Sequence, residues 1–197
     1  MMKKAQTQAI TLVLISGIII ALTGTAFFWG KPLVEKRAMI GRFQSSIDFM
    51  KNLNDKIKQM ARTCKEAGAC EESLDLPVPG LIYLNVSDNS IIYEYVINQK
   101  IIGEGTEIPV NTGNVDEITS TGEEPGIVFL SGIYKNNAHY IKLKLHYRTL
   151  YDEKMDKEFL IKLTGNEGAG NNRVTVVYRG IDIEGKTTKY KIEVRVI

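Results

Sequence analysis

The chain has 197 residues and a formal net charge of +2, with 25 basic and 23 acidic residues interspersed along it. This pattern contains no basic stripe of the kind that binds nucleic acids. The two cysteines lack Cys-x-x-Cys spacing and only two histidines are present, so the sequence gives no support for a zinc centre.

The first predicted element is an apolar helix, because no charged residue occurs between Lys4 and Lys31. At about 1.5 Å per residue this run reaches roughly 39 Å, whereas the hydrocarbon core of a bilayer is about 30 Å thick. The segment is therefore long enough to cross a membrane. Three alternatives fit it: a secretory signal cleaved near Gly24-Thr25-Ala26, a simple membrane anchor, and a leader whose apolar helix stays on the mature chain.

The residues before the apolar run, Lys3-Lys4-Ala5-Gln6, resemble the class III (prepilin-type) signal peptides of archaeal type IV pilins and archaellins. In that family a membrane peptidase cuts on the cytoplasmic side, after a small residue that follows basic ones. The resemblance implies cleavage by prepilin peptidase between Ala5 and Gln6. Thr11-Leu12 is similar to the Thr-Leu pair that archaellins place in the first turns of their apolar helix.

The chain departs from the family pattern at residues 6–10, which are Gln-Thr-Gln-Ala-Ile where many euryarchaeal pilins have Gln-x-Ser-x-Glu. In bacterial pilins a glutamate is the fifth residue of the mature chain and pairs with the new amino terminus of a neighbour. Ile10 has no carboxylate to form that pair. Archaellins assemble without the glutamate, so both a filament subunit and an anchored monomer remain open.

Small residues in the apolar run predict close packing with other helices. Gly17, Ala21 and Thr25 are spaced by four and therefore share one face, with Gly24 beside it. The basic residues on the two sides of the run do not fix its orientation by charge. The resemblance places the C-terminal part of the chain outside the cell.

The predicted domains are a leader at 1–5, a transmembrane or filament-core helix at 6–30, an amphipathic stem at 31–70, and an extracellular β domain at 71–197. Gly30-Lys31-Pro32 predicts a kink or a helix restart. The stem carries an apolar stripe at helical spacing, formed by Ile40, Phe43, Ile47, Met50, Ile57 and Met60. We expect this helix to end near Cys64 and its stripe to pack mainly on the β domain of the same chain.

Cys64 and Cys70 bracket a short segment in which Gly68 favours the end of a helix. Outside the cell such a pair is expected to be oxidised, and we predict a Cys64–Cys70 disulfide. Asn85-Val86-Ser87 is a glycosylation sequon beside a predicted turn.

Residues 71–197 have the alternating and β-branched pattern of an antiparallel β-sandwich of about eight strands, so the predicted class is α+β. The expected strands are residues 81–86, 91–97, 140–150, 159–163, 174–183 and 190–197. In the strand at 140–150, alternation predicts a buried face and a wet face, the wet one carrying Lys142, Lys144, His146 and Arg148.

A long loop at residues 103–126 is rich in carboxylates, namely Glu104, Glu107, Asp116, Glu117, Glu123 and Glu124. Their spacing differs from that of a twelve-residue calcium loop, and a solvated surface loop is expected. His139 and His146 are seven residues apart and should lie on opposite faces of one strand. Residues 165–170 (GNEGAG) lack the lysine of a phosphate-binding loop.

These observations predict a protein that is not an enzyme and uses no cofactor or metal. The resemblance implies a structural subunit of an archaeal type IV pilus-like filament, which assembles with further copies of itself through its N-terminal helix and exposes the β domain for adhesion. Its expected partners are those copies, prepilin peptidase and the membrane. The alternative is a membrane-anchored ectodomain that serves as an accessory or binding module of an archaellum or cell-envelope machine.

Overall fold

The computed structural model describes the backbone of residues 2–97, 102–116 and 118–197, and the side chains of that set from Thr11 onward. The chain divides into an N-terminal unit, Met1–Arg42, and a second unit, Phe43–Ile197, which we call the β unit. A long helix, α1 (Met2–Thr63), is followed by strands arranged in two sheets. The predicted α+β class is confirmed.

Helix α1 continues through Gly30, Lys31 and Pro32, so the helix restart expected at this point is wrong. Pro32 removes one backbone hydrogen bond of the helix. The helix nevertheless continues, because long helical segments on both sides of the proline make propagation cooperative. The helix ends at Thr63, next to the predicted end at Cys64.

The β unit has twelve strands among its described residues, more than the eight or so that the alternation predicted. In chain order they are β1 (Glu71–Asp75), β2 (Leu81–Asn85), β3 (Ser90–Ile97), β4 (Ile108–Pro109), β5 (Ile118–Ser120), β6 (Gly126–Lys135), β7 (Ala138–Tyr147), β8 (Thr149–Asp152), β9 (Lys157–Gly165), β10 (Ala169–Gly170), β11 (Arg173–Glu184) and β12 (Thr187–Val196).

The strands form two six-stranded sheets. Sheet 1 has the order β1-β11-β12-β9-β8-β5, and sheet 2 has the order β10-β2-β3-β7-β6-β4. Most neighbours are antiparallel, as predicted, but β12 runs parallel to β9 and β5 runs parallel to β8. The first parallel pair arises because the chain leaves β9 for sheet 2 and returns as β11, and the β11–β12 hairpin then brings β12 back beside β9.

The C-terminal part of α1 contributes directly to the core of the β unit. Met50, Leu53 and Ile57 are fully buried and belong to one apolar cluster with residues of both sheets. Phe49 packs edge-on against Tyr93 of β3, with ring centroids 5.7 Å apart. The stripe therefore packs on the chain's own sheets from Ile47 to Met60, as predicted.

Strand β7 shows the predicted alternation from Tyr140 to Tyr147. Ile141, Leu143, Leu145 and Tyr147 are buried, and the side chains between them are half-exposed. Ser90 to Ile97 of the neighbouring β3 pair with His146 to His139 of β7 in an unbroken antiparallel register. This pairing places β3 and β7 at the centre of sheet 2.

Candidate functional surfaces

The apolar part of α1 leaves its side chains uncovered within the described residues. From Leu12 to Trp29 the large apolar side chains are between 52% (Ile15) and 83% (Trp29) exposed. By length and composition, α1 is able to cross a membrane. A helix that is apolar on all sides is stable only in lipid or surrounded by other apolar helices.

The hydroxyl groups in this segment bond within the helix. Ser16 Oγ donates to Val13 O at 2.9 Å, Thr23 Oγ1 to Ile19 O at 2.8 Å, and Thr25 Oγ1 to Ala21 O at 2.8 Å. Such bonds remove the need for water around a polar group, which is what an apolar environment requires. The segment is chemically suited to lipid along its described length.

The small residues expected to pack against other helices lie in open surroundings. A Cβ added at Gly17 or Gly24 would meet no atom within 4 Å. Ala21 and Thr25 follow Gly17 at the spacing of four that defines one helical face. Ala5 and Gln6, the expected cleavage residues, lie where side chains are outside the described part of the chain.

The end of α1 is fixed to sheet 1 by a disulfide. Cys64 and Cys70 are bonded, and their Cα atoms lie 6.2 Å apart. The enclosed loop is also held by the backbone of Tyr178, whose carbonyl accepts from Gly68 N at 2.7 Å and whose amide donates to Cys70 O at 3.0 Å. Gly68 has a φ of 79° and forms the turn of this loop, after the helix has already ended.

A polar cluster joins the stem part of α1 to sheet 2 and to the carboxylate-rich loop at residues 103–126, which we call the acidic loop. Asn54 accepts from the Tyr147 hydroxyl at 2.9 Å and donates to Glu124 Oε1 at 2.9 Å. Lys58 contacts Glu124 Oε2 at 3.0 Å and Asp55 at 2.8 Å. Burial lowers the pKa of the Lys58 ammonium, but its bonds to the two carboxylates outweigh burial and raise it. Asn54 is therefore a buried polar group with its bonding satisfied.

Arg148 differs most from its predicted position. Strand β7 ends at Tyr147, and the Arg148 side chain is only 1% exposed instead of lying on the wet face. Its Nε donates to Glu124 O at 3.0 Å, and its Nη1 donates to Asn114 O at 3.0 Å and Asp116 O at 2.8 Å. The alternation fails here because the acidic loop folds over the end of the strand and covers this position.

Replacing Arg148 by methionine should therefore lower the free energy of unfolding of the β unit by about 3 kcal/mol, because three carbonyls lose a charged donor. The matched control is Arg173→Met, because Arg173 forms an exposed pair with Asp75 at 2.6 Å, and such pairs contribute at most about 1 kcal/mol. Pulse proteolysis at increasing urea concentration measures the free energy of unfolding of both variants. Equal losses for the two variants would contradict a special role for Arg148.

The acidic loop contains two short strands, β4 and β5, in addition to irregular segments. Glu123 accepts from Asn114 and Glu124 binds Asn54 and Lys58, while Glu117 lies outside the described residues. Among the described residues no group of three or more His, Cys, Asp or Glu side chains is arranged to hold a metal ion. His139 and His146 lie on opposite faces of β7, as predicted.

The sequon residue Asn85 is at the end of β2, at the start of a turn in which Ser87 is exposed. Its Oδ1 accepts from Ser87 Oγ at 2.7 Å and from Asp88 N at 3.1 Å. The amide nitrogen, which carries the sugar in N-glycosylation, has no partner among the described residues. Glycosylation of Asn85 stays a prediction.

In comparisons with protein families, with curated proteins and with solved structures, the chain found no match.

Proposed function

We propose that this chain is a structural subunit of an archaeal type IV pilus-like surface filament. The observation that carries the proposal is the apolar stretch of α1, whose side chains are exposed on all sides from Leu12 to Trp29. The resemblance of Lys3-Lys4-Ala5-Gln6 to a prepilin-type cleavage site supports it further. Such a leader would leave the apolar helix on the mature chain.

In this proposal, helices of many subunits leave the membrane and form the core of the filament. Burial of their apolar side chains against one another replaces burial in lipid and drives assembly. The face of Gly17, Ala21, Gly24 and Thr25 lets neighbouring helices approach closely. The β units then lie on the outside, where they contact surfaces or adhere to them.

The second candidate is an anchored ectodomain that does not polymerise and serves an archaellum or envelope machine as a binding module. It is favoured by Ile10, which stands where pilins of the glutamate type carry a carboxylate for subunit pairing. In this case the apolar part of α1 stays in the membrane and the β unit alone meets its partner. The β unit has its own apolar core, as a module of this kind needs.

The two functions differ in processing and in where the protein is recovered. We expect mass spectrometry of a sheared surface fraction from native cells to find a mature chain that begins at Gln6. An Ala5→Leu variant should keep its leader and stay in the membrane fraction, because the peptidase requires a small residue before the cut. Ala9→Leu makes the same substitution beyond the cut and should be processed normally.

An uncleaved chain confined to membranes would support the anchored ectodomain and contradict the filament. A chain that begins at Phe27 would contradict both, since a secretory cleavage there removes the membrane helix. A chain cleaved after Ala5 but absent from the sheared fraction would also contradict the filament.

A further inference from the structure

The core-facing side of sheet 1 extends beyond the end of α1. Ile181 of β11 pairs with Tyr190 of β12, and Tyr190 pairs with Ile161 of β9, so these three side chains share one face. Phe159 and Leu150 form the next pair on that face. Because the helix ends at Thr63, this part of the sheet has no helix above it.

A groove lies between the last turns of α1 and this uncovered part of sheet 1, entirely within the β unit. Its volume is about 620 Å³, and its floor is formed by the apolar side chains of Leu150, Phe159, Ile161, Ile181 and Tyr190. Pockets for small molecules usually measure about 300–1,000 Å³. The groove therefore has the size and the apolar floor of a ligand site.

The wall formed by α1 and the residues after it carries two cations that no described carboxylate neutralises through an ion pair. Arg62 and Lys65 line the groove, both are exposed, and neither side chain has a hydrogen bond or ion pair within the described ranges. The end of a helix carries only about half a negative charge, which two full positive charges exceed. The other lining cation, Lys58, is already bound by Asp55 and Glu124.

The opposite wall does not cancel this charge. Its carboxylate, Glu123, accepts from Asn114 Nδ2 at 3.0 Å and lies 3.8 Å from Nη2 of the buried Arg148. One wall is thus left with two uncompensated cations beside an apolar floor. This charge pattern is complementary to a molecule that combines an apolar chain with one anionic head.

We propose that the groove binds an anionic amphiphile, with the apolar chain on the sheet floor and a carboxylate or phosphate head held by Arg62 and Lys65. The proposal does not depend on filament assembly, because every residue of the groove belongs to the β unit of one chain. The amphiphile is either a soluble molecule or an anionic lipid of the bilayer.

The test uses the full chain in nanodiscs of phosphatidylcholine, titrated with dansyl-labelled undecanoate, with empty nanodiscs as the background. We expect saturable fluorescence above that background. The neutral methyl ester of the probe should bind about tenfold more weakly, because it lacks the charge that the two cations recognise.

Two variants address the two halves of the site. Arg62→Glu with Lys65→Glu, and separately Ile181→Asp, should each weaken binding about tenfold or more. The charge control is Lys154→Glu with Lys157→Glu at the exposed end of the β8–β9 hairpin, and the apolar control is Ile108→Asp on sheet 2. Both controls should bind within about twofold of the unchanged protein.

Nanodiscs that also contain phosphatidylglycerol distinguish the source of the ligand. Displacement of the probe by this lipid identifies a bilayer lipid as the occupant, and an unchanged titration identifies a soluble amphiphile. The proposal is overturned if no saturable signal exceeds that of empty discs, if the methyl ester binds as well as the anion, or if the charge-reversed variant binds like the unchanged protein.

Discussion

Replacing Asn89 by alanine should lower the free energy of unfolding of the β unit by about 4 kcal/mol. Asn89 lies in the turn between β2 and β3 and is 8% exposed. Its Nδ2 donates to Tyr147 O at 3.0 Å and to Ile161 O at 2.8 Å, and its Oδ1 accepts from Leu163 N at 2.8 Å. One side chain thus joins the β2–β3 hairpin of sheet 2 to β9 of sheet 1, and alanine leaves three buried backbone groups unpaired.

The backbone of Asn89 makes a second contribution that must be separated from the first. Its φ is 48°, a left-handed conformation that costs alanine about 1–2 kcal/mol. Asn89→Gly removes the side chain at little conformational cost. It should therefore still lower the free energy of unfolding by about 3 kcal/mol. Asn136→Ala is the matched control, because Asn136 has a φ of 50° in an exposed turn and its side chain has no hydrogen bond to another described residue.

Pulse proteolysis of the full chain in urea measures all three variants. The sole tryptophan, Trp29, lies in the N-terminal unit, so its fluorescence does not report on the β unit. If Asn89→Gly were as stable as the unchanged protein, the hydrogen bonds of Asn89 would not hold the two sheets together.

Raising the pH above 10 should unfold the β unit cooperatively. The pKa is raised by burial for five tyrosines of this unit, and for Tyr83 and Tyr93 it reaches about 12; the five are Tyr83, Tyr93, Tyr95, Tyr147 and Tyr178. Below pH 10 these phenols are neutral in both the folded and the unfolded chain. Above it the unfolded chain ionises first, so the free energy of unfolding falls as the pH rises through the folded pKa values.

While the pH lies between the unfolded and the folded pKa of such a tyrosine, the free energy of unfolding falls by up to about 1.4 kcal/mol per pH unit. Because whole domains are stable by only about 5–15 kcal/mol, the ionisation of several such tyrosines is enough to unfold the β unit at alkaline pH. The phenolate absorbance of these five tyrosines should appear in one step, together with the loss of protease resistance. Tyr178→Phe should shift that step upward, because the buried Tyr178 hydroxyl has no hydrogen bond to lose among the described residues, whereas Tyr134→Phe, at a half-exposed position, should not. Gradual ionisation of these five tyrosines without loss of protease resistance would contradict the expectation.

The parts of the fold that follow a regular period were predictable from the sequence. The stem stripe from Ile47 to Met60 and the alternation of Ile141, Leu143 and Leu145 both reflect a face that is buried along its whole length. Strands β4 and β10 have two residues each, which is too short to show any period. The parallel pairing of β9 with β12 depends on the chain path and leaves no local pattern.

The residues that sequence reasoning missed lack a local signal for another reason. Asparagine is common in turns, so Asn89 does not stand out in the sequence. Its three side-chain hydrogen bonds go to backbone groups 58 to 74 positions away. Arg148 continues an alternating pattern perfectly but is covered by a loop that precedes it by some twenty to thirty residues. The groove arises where the helix ends before the sheet does, which only the three-dimensional arrangement reveals.

The burial of Met50, Leu53 and Ile57 in the core has a practical consequence for producing the ectodomain without its membrane segment. A truncated chain that begins at β1 would lack these side chains. The apolar trough that they fill between the two sheets would then be exposed to solvent and would promote aggregation. Starting at Phe43 keeps the trough filled and the disulfide loop attached. The shortest fragment of this protein that folds on its own is thus expected to include about the last twenty residues of the helix, because these residues are part of its core.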